Sequence, residues 1–415
     1  MNYFENPESP REIRGYEIAK KYNIKRENGF WLVPSQSKSG KYKVSLSPLS
    51  CECPDFEIRR KRCKHIHAVG YRFEREFLED LTREQIAELP KPVSTRKTYK
   101  QVWTAYNKAQ TIEKAEFQRI LWELCKGIGE PSQSNGRPRL PFEDMLFACV
   151  FKVYSTFSGR RFMTDLSESH NKGYISKVPN YNSLFNYFAN EAFTSYLQMM
   201  IEETALPLKA FEEHFAVDAS GLSMTHGFSW QFAKFEEPRL IAKREWLKLH
   251  ICVGTRTNVV TAVRVTDKYE NDHPNFEPLV RDTRENFKMK TVSADKAYLS
   301  NHNMNVAAWY DAVPFIAFKV NSQPTKKENT VWNKMYHFFS MHQDKFLKNY
   351  HRRSNVETTF SMIKAKFGGT LRSKTKTAQT NEALCKVLAH NICCLIQEMF
   401  ELGIKPDFWK EVESA

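Results

Sequence analysis

The chain has 415 residues, more than one ordinary core needs, which excludes a single small domain and predicts two or three domains. Its 62 Lys and Arg against 48 Asp and Glu give a net charge of +14, which predicts a polyanionic partner such as DNA, although a merely basic soluble protein has the same composition. No apolar run approaches the ~20 residues of a membrane span, and no apolar signal core begins the chain, so we expect a soluble, cytoplasmic protein without a membrane partner.

Near the N-terminus, a tight group of metal-ligand residues has the spacing Cys-x-Cys…Cys-x-His. Its members are Cys51, Cys53, Cys63 and His65. Thiolate and imidazole are the ligands that tetrahedral Zn²⁺ prefers, so the group predicts one structural zinc ion. His67 is an alternative fourth ligand, because Cys-x3-His also suits a helical turn. A strand over 41–46, a turn over 51–54 and a helix over 64–77 predict a small zinc-stabilised ββα module within residues 1–88. The pattern resembles the SWIM zinc finger.

A basic run, Arg59-Arg60-Lys61-Arg62, lies inside the loop of this finger. It predicts contact with DNA, with RNA or with an acidic protein face, and the sequence leaves these three open. Residues 89–100 are polar, basic and punctuated by proline, which predicts a linker.

Residues 101–205 predict an α-helical region that binds DNA. The expected helices cover 113–125, 142–157, 159–169 and 180–190. Before the last three, Arg137-Pro138-Arg139 is either a minor-groove contact or a plain basic loop. Three short helices are compatible with a helix-turn-helix whose third helix reads the major groove, although generic helical packing gives the same pattern. The DNA-facing candidates are Arg160, Arg161, Tyr181, Asn182, Ser183 and Asn186.

Residues 206–405 predict an α/β domain with a mixed sheet flanked by helices. The expected strands cover 214–218, 246–253, 259–265, 291–294 and 313–320. The expected helices cover 276–286, 304–312, 334–366 and 381–400. Three successive strands favour an antiparallel meander, and a later strand separated by a helix favours a parallel addition. The stretch 326–349 is either an insertion before the long helix or ordinary core packing.

Three acids in this domain predict a site for two divalent metal ions. Asp218 and Asp295 each end an apolar run. The third acid belongs to a run of four residues that fall within about 60° on one helix. This run consists of Tyr350, Arg353, Glu357 and Lys364. Carboxylates and phosphate oxygens are ligands that Mg²⁺ takes. Taken singly, a strand-end Asp is commonly a turn or cap residue, and a charged stripe is commonly a solvated helix face.

These residues resemble the signature of the DDE-class insertion-sequence transposases with a Tyr-Arg-Glu-Lys motif. The first acidic motif matches at 217–221 and the second at 294–298, and the resemblance covers roughly residues 100–400. It implies an RNase H-like fold with a metal-binding triad. Tyr350, Arg353 and Lys364 would grip DNA phosphate near the cut. Ala219 stands where the family commonly has a hydroxyl residue, a mild departure.

The resemblance implies metal-dependent cleavage of element ends and strand transfer to target DNA. The cofactors would be two Mg²⁺ or Mn²⁺ ions held by Asp218, Asp295 and Glu357. The partners would be double-stranded DNA and a second copy of the chain, in a nucleoid-associated synaptic complex. Lys296 and His273 are either helpers of the triad or surface residues. Two alternatives stay open: a nuclease without strand transfer, and a non-catalytic factor that binds DNA or protein.

Overall fold

The computed structural model describes residues 9–36, 40–46, 48–79, 102–133, 138–224, 246–327 and 329–409. The predicted linker over 89–100 and Arg137 lie outside these residues. The chain divides into two compact units, residues 1–100 and residues 101–415.

In its described residues, the first unit has a four-stranded antiparallel sheet and three helices. Its elements are α1 Pro10–Lys21, β1 Lys25–Glu27, β2 Phe30–Pro34, β3 Lys41–Leu46, β4 Leu49–Cys51, α2 Pro54–Arg59 and α3 Lys64–Glu79. The strands pair in the order β1-β2-β3-β4. Asn28 and Gly29 have φ of 49° and 83°, which is the left-handed pair that a tight hairpin turn between β1 and β2 requires.

This unit is larger than the predicted ββα module, because α1, β1 and β2 precede the finger. Helix α1 begins with a capping box in which Ser9 and Glu12 bond reciprocally to each other's backbone N–H. It packs closely on α3, since a Cβ on Gly15 would lie 2.6 Å from the Cβ of His67. The core of the unit includes Ile18, Trp31, Val33, Val44 and Ile66.

The second unit begins with five helices. They are α4 Trp103–Lys126, α5 Phe142–Ser155, α6 Gly159–Asn171, α7 Tyr181–Phe188 and α8 Ala192–Ala205. The predicted ends of the first four helices agree with the observed ends to within two residues, except that α4 starts ten residues earlier than predicted. The helix α8 was not predicted.

A six-stranded mixed sheet follows. The remaining elements are β5 His214–Met224, β6 Trp246–Gly254, β7 Val260–Asp267, α9 Phe276–Asn286, β8 Thr291–Ala294, α10 Asn301–Trp309, β9 Val313–Ile316, α11 Val331–Met341, α12 Gln343–Tyr350, α13 Ser354–Phe367, β10 Thr370–Leu371 and α14 Lys376–Glu401. The strand order is β7-β6-β5-β8-β9, and β10 pairs with β5. Strands β5, β6 and β7 are antiparallel, and β8 and β9 add in parallel, as predicted for an RNase H-like sheet.

Several predictions for this unit were wrong in detail. The strand over 214–218 continues to Met224, so Asp218 lies inside it and not at its end. The strand over 313–320 ends at Ile316. The long helix over 334–366 is three helices, because α11 stops at Met341, α12 stops at Tyr350, and a 3-10 turn over His351–Arg353 separates α12 from α13. The break falls within the predicted stripe, because Tyr350 precedes the 3-10 turn, Arg353 belongs to it and Glu357 follows it.

Helix α14 is the centre of the second unit. It is long and apolar enough to cross a membrane by length and composition, which the sequence analysis overlooked, but 78% of its apolar window is buried inside the protein. It packs against α4, α5 and α8, and its residues share a core with one face of the sheet. The helices of residues 103–205 and one face of the sheet therefore share a hydrophobic core. That the helices bind DNA while the sheet carries the catalytic acids stays a prediction.

Candidate active site and zinc centre

Two of the predicted acids, Asp218 and Asp295, occupy neighbouring positions at two adjacent strands of the sheet. Strands β5 and β8 run parallel, with Val217 opposite Ala294. Asp218 and Asp295 are the next residues on each strand. Because neighbouring strands lie about 4.8 Å apart, Asp218 in the middle of β5 and Asp295 just after β8 lie side by side.

The sheet is open beside these acids. On one edge of β5, β8 ends opposite Val217, and β10 begins opposite Ser223. Between these points, in the described part of the chain, residues 218–222 of β5 have a strand partner on the β6 side alone. The resulting notch exposes one flank of β5 beside Asp218.

The third acid reaches the notch through an arginine. Nη1 of Arg353 lies 3.0 Å from Oδ2 of Asp218, and Nη2 of the same guanidinium lies 2.5 Å from Oε1 of Glu357. The side chains of Arg353 and Asp218 are each 20% exposed, whereas that of Glu357 is 55% exposed. One cation therefore bridges two of the three predicted acids across 139 positions of sequence.

The charges around Asp218 favour a cation. Burial raises the pKa of its carboxyl, and the nearby carboxylates of Asp295 and Glu357 raise it further. A hydrogen bond from the backbone N–H of Ala219 and the charge of Arg353 lower the pKa, but they do not cancel the rise. Burial is the largest cause of the raised pKa, so a cation that binds Asp218 must offset the cost of holding a buried carboxylate ionised.

Three carboxylates of this kind fit hard divalent ions. Mg²⁺ takes oxygen ligands and is commonly held by a few carboxylates. The Arg353 guanidinium is a stand-in for such a cation, because it already draws Asp218 and Glu357 to one point. Asp295 is held differently: its Oδ1 accepts a hydrogen bond of 2.7 Å from the backbone N–H of Lys296.

The other two residues of the signature also lie around the notch. Nζ of Lys364 donates a hydrogen bond of 2.6 Å to Oγ of Ser220, which shares a face of β5 with Asp218. Burial lowers the pKa of Lys364. The Tyr350 ring lies 5.9 Å from the Arg353 guanidinium carbon.

The sequence predicted that the four signature residues lie on one helix. In the structure they are distributed over two helices and the 3-10 turn between them. Tyr350 ends α12, Arg353 ends the 3-10 turn, and α13 carries Glu357 and Lys364. Within α13 the last two are seven residues apart, close to two turns, so they do share a face. Arg353 and Glu357 are four residues apart, so helical spacing brings these two side chains together, and the packing of this segment against β5 brings Arg353 to Asp218.

Two polar residues near the acids had no role in the sequence analysis. Tyr298 is 1% exposed, and among the described residues its hydroxyl has no hydrogen-bond partner. Burial raises its pKa, and the carboxylates of Asp218, Asp272 and Asp295 add to the rise. Ser220 is the second, since it holds Lys364. Tyr298 lies within the second acidic motif at 294–298, three residues after Asp295, and this spacing could have indicated a position near the acids.

The side chains of the predicted helpers, Lys296 and His273, take no part in the hydrogen bonds described for the triad. Lys296 is exposed and contributes its backbone N–H to Asp295. The backbone oxygen of His273 accepts a hydrogen bond from Asn303. Among the described residues, neither side chain contacts one of the three acids.

The predicted zinc ligands converge in the first unit. Cys51 ends β4, Cys53 precedes α2, and Cys63 and His65 lie at the start of α3. Their ligand atoms lie within 4.8 Å of one another, and all four residues are buried. Nδ1 of His65 is 3.9 Å from Sγ of Cys51 and 4.0 Å from Sγ of Cys63.

This group fits a tetrahedral zinc ion. A sulfur ~2.3 Å and a nitrogen ~2.1 Å from a tetrahedral zinc ion lie about 3.6 Å apart, within a few tenths of an ångström of the observed Nδ1 to Sγ distances of 3.9 and 4.0 Å. A hydrogen bond with the Cys51 thiol lowers the pKa of Cys63, which favours the thiolate that zinc binds. The alternative ligand His67 is not in the converging group, because its side chain packs beside Gly15 of α1. Of the two histidines, His65 is the one whose ligand atom lies with the three cysteine sulfurs.

The DNA-facing candidates of the helical region lie on its surface. Arg160, Arg161 and Asn182 are exposed. The Arg160 guanidinium lies 5.2 Å from the Tyr181 ring, which ties the start of α6 to the start of α7. Asn182 gives its backbone N–H to the cap residue Asn180, and its side chain remains exposed.

The sheet with its acidic notch, together with a Cys₃His group, defines a nucleic-acid-processing enzyme with a zinc-binding module. Residues 209–392 match the family model of the transposase DDE domain, and residues 42–71 match that of the SWIM zinc finger. The chain thus carries a DDE transposase domain, which implies DNA binding, preceded by a SWIM zinc finger. No solved structure matches the chain.

Proposed function

We propose that this chain is an active DNA transposase that cleaves the ends of an insertion sequence and joins them to target DNA. Asp218, Asp295 and Glu357 would hold two Mg²⁺ or Mn²⁺ ions. The observation that carries the proposal is the bridge from Arg353 to Asp218 and Glu357, with Asp295 on the adjacent strand. Distant acids gathered around one cation are the arrangement that metal-dependent phosphodiester chemistry needs.

The reaction has two steps of the same kind. In the first, a water oxygen bonds to the phosphorus at the element end, the bond from phosphorus to the 3′ oxygen breaks, and that oxygen takes up a proton. In the second, the freed 3′-hydroxyl bonds to a phosphorus of target DNA, and the target's own 3′ oxygen leaves with a proton. Divalent ions, when bound, would activate the attacking oxygen and stabilise the leaving one.

The basic residues around the notch would hold the DNA phosphate. Arg353 is planar and presents several donors, so it suits a phosphate oxygen pair as well as the carboxylates that it now bridges. Lys364 lies beside Ser220 on the same face as Asp218, where it would contribute a point charge. Tyr350 would hydrogen-bond to the backbone. These contacts fix position and supply affinity, and they do not read base sequence.

The exposed residues of the helical region support a role in binding element ends. Arg160, Arg161 and Asn182 would face the DNA. Two ends must be brought together before joining, so we propose a homodimer in the synaptic complex, located with the DNA in the nucleoid.

A joining assay with pre-cut ends tests the proposal. A transposase joins such ends to target DNA, whereas a nuclease that uses the same acids cuts intact ends and does not join. Glu357→Gln keeps size and removes charge, and we expect it to abolish cleavage and joining while end binding survives. Asp344→Asn is the matched control, because Asp344 is an exposed acid on α12 outside the bridge. Unchanged cleavage by Glu357→Gln would refute the site, and loss in both variants would show a general charge effect.

A further inference from the structure

The finger unit contains a cavity whose lining includes four cationic side chains beside two of the zinc-ligand residues, Cys53 and His65. Its volume is about 560 Å³, far more than one zinc ion fills. The lining includes four cations, Arg11, Arg14, Arg59 and Lys64, against one carboxylate, Asp55. Arg11 and Arg14 come from α1, which lies outside the segment that matches the SWIM finger. The cavity is therefore a feature of this unit as a whole.

Asp55 fixes the position of two of the arginines. Its Oδ2 accepts a hydrogen bond of 3.1 Å from Nε of Arg11, and its Oδ1 accepts one of 3.3 Å from Nη2 of the same side chain. Nε of Arg59 lies 3.4 Å from Oδ1 of Asp55. A guanidinium has five N–H donors, so both arginines keep most of their donors for another acceptor. Asp55 thus orients the cations without neutralising them.

The remaining cations leave the cavity with an excess of positive charge. Arg14 is exposed and has no acidic partner in the part of the chain that the structure describes. Nζ of Lys64 donates to Oε1 of Gln36, a neutral acceptor, at 2.6 Å. One carboxylate therefore faces four cations, and such an imbalance in a concave site attracts an anion.

We propose that this cavity binds the phosphodiester backbone of DNA, without regard to base sequence. Planar guanidinium groups match the oxygen pairs of phosphate. Positive charge continues from Arg59 into the exposed residues Arg60 and Lys61, so the surface extends as a track for a polyanion rather than a pocket for one small anion. An acidic peptide has the same charge, but this inference rests on the proposed function, in which the second unit, with its transposase DDE domain, acts on DNA.

The test compares two double variants of the full-length, zinc-loaded protein. Arg14→Gln with Arg59→Gln removes two cavity cations that do not neighbour a zinc ligand in sequence. Lys20→Gln with Lys25→Gln is the control, since both lysines are exposed residues of the same unit outside the cavity lining. Fluorescence anisotropy measures binding of a labelled DNA duplex of arbitrary sequence at several salt concentrations, without added Mg²⁺. Zinc content and thermal melting of each variant verify that the finger is folded.

Each phosphate contact contributes about 0.9 to the slope of log K against log salt. We therefore expect the cavity variant to flatten this slope by about 1.8 and the control to change it by less. An equal change in both variants, or none in the cavity variant, would overturn the proposal. Loss of binding to a labelled oligoglutamate peptide, with DNA binding intact, would overturn it in favour of a protein partner. A chain unable to cleave DNA still gives the expected result, so this test is independent of the catalytic one.

Discussion

Replacing Arg353 tests whether a metal ion and this arginine compete for the same carboxylates. At the 3.0 Å between Arg353 and Asp218, Coulomb attraction at an effective dielectric constant of ~20 is about 5 kcal/mol. Removing both ions from water costs several kcal/mol, and this offsets much of the attraction. The Glu357 contact adds little, because that side chain is 55% exposed and screened by solvent. We take the net contribution of the bridge as about 2 kcal/mol.

Two consequences follow for Arg353→Gln. Without added divalent metal, the free energy of unfolding should fall by about 2 kcal/mol, because Asp218 loses its partner. With Mg²⁺ most of this loss should be recovered. In the natural chain the ion must first displace the arginine, so the variant should bind Mg²⁺ about 30-fold more tightly in the absence of DNA, the ratio that about 2 kcal/mol gives.

Denaturant unfolding with and without Mg²⁺, and calorimetric titration of Mg²⁺ into the zinc-loaded protein, measure both effects. Arg264→Gln is the control, since Arg264 is an exposed arginine on β7 outside the bridge. A double-mutant cycle with Asp218→Asn should give a coupling energy of about 2 kcal/mol. If Mg²⁺ binds both proteins equally, Arg353 does not occupy the place of a metal ion, and the reasoning is wrong.

Two further predictions concern histidines. His65→Gln should lose zinc at a chelator concentration at which His67→Gln retains it, because the His65 ring faces Cys51 and Cys63; metal analysis after dialysis checks this, and equal loss would contradict it. Burial lowers the pKa of His250 to about 4, against an ordinary value of ~6.5, so the fold favours the neutral ring. Its contribution is present above pH ~6.5 and is lost as the pH falls towards 4, by about 2 kcal/mol between pH ~7 and ~5. His250→Gln should remove that part of the pH dependence of unfolding, whereas the control His302→Gln, on a surface histidine, should not.

Local patterns predicted most of the elements that carry the site. The strand Thr291–Ala294 and the helix Phe276–Asn286 have the predicted bounds, because buried apolar runs and helical spacing are local signals. The helix Ala192–Ala205 was missed because no break in composition separates it from its neighbours. The long predicted helix was wrong for a similar reason: nothing in its composition marks the 3-10 turn at His351–Arg353.

The sequence by itself determined the chemistry of this protein: which acids, thiols and imidazoles are present, and at what spacing along the chain. Only the tertiary structure decided which of them meet. The register of β5 against β8 sets Asp218 beside Asp295, and the packing of residues 351–353 against β5 brings Arg353 to Asp218. The contact of α1 with α3 leaves His65, not His67, facing the cysteines. These choices depend on packing between residues far apart in the chain, and local propensity carries no information about them.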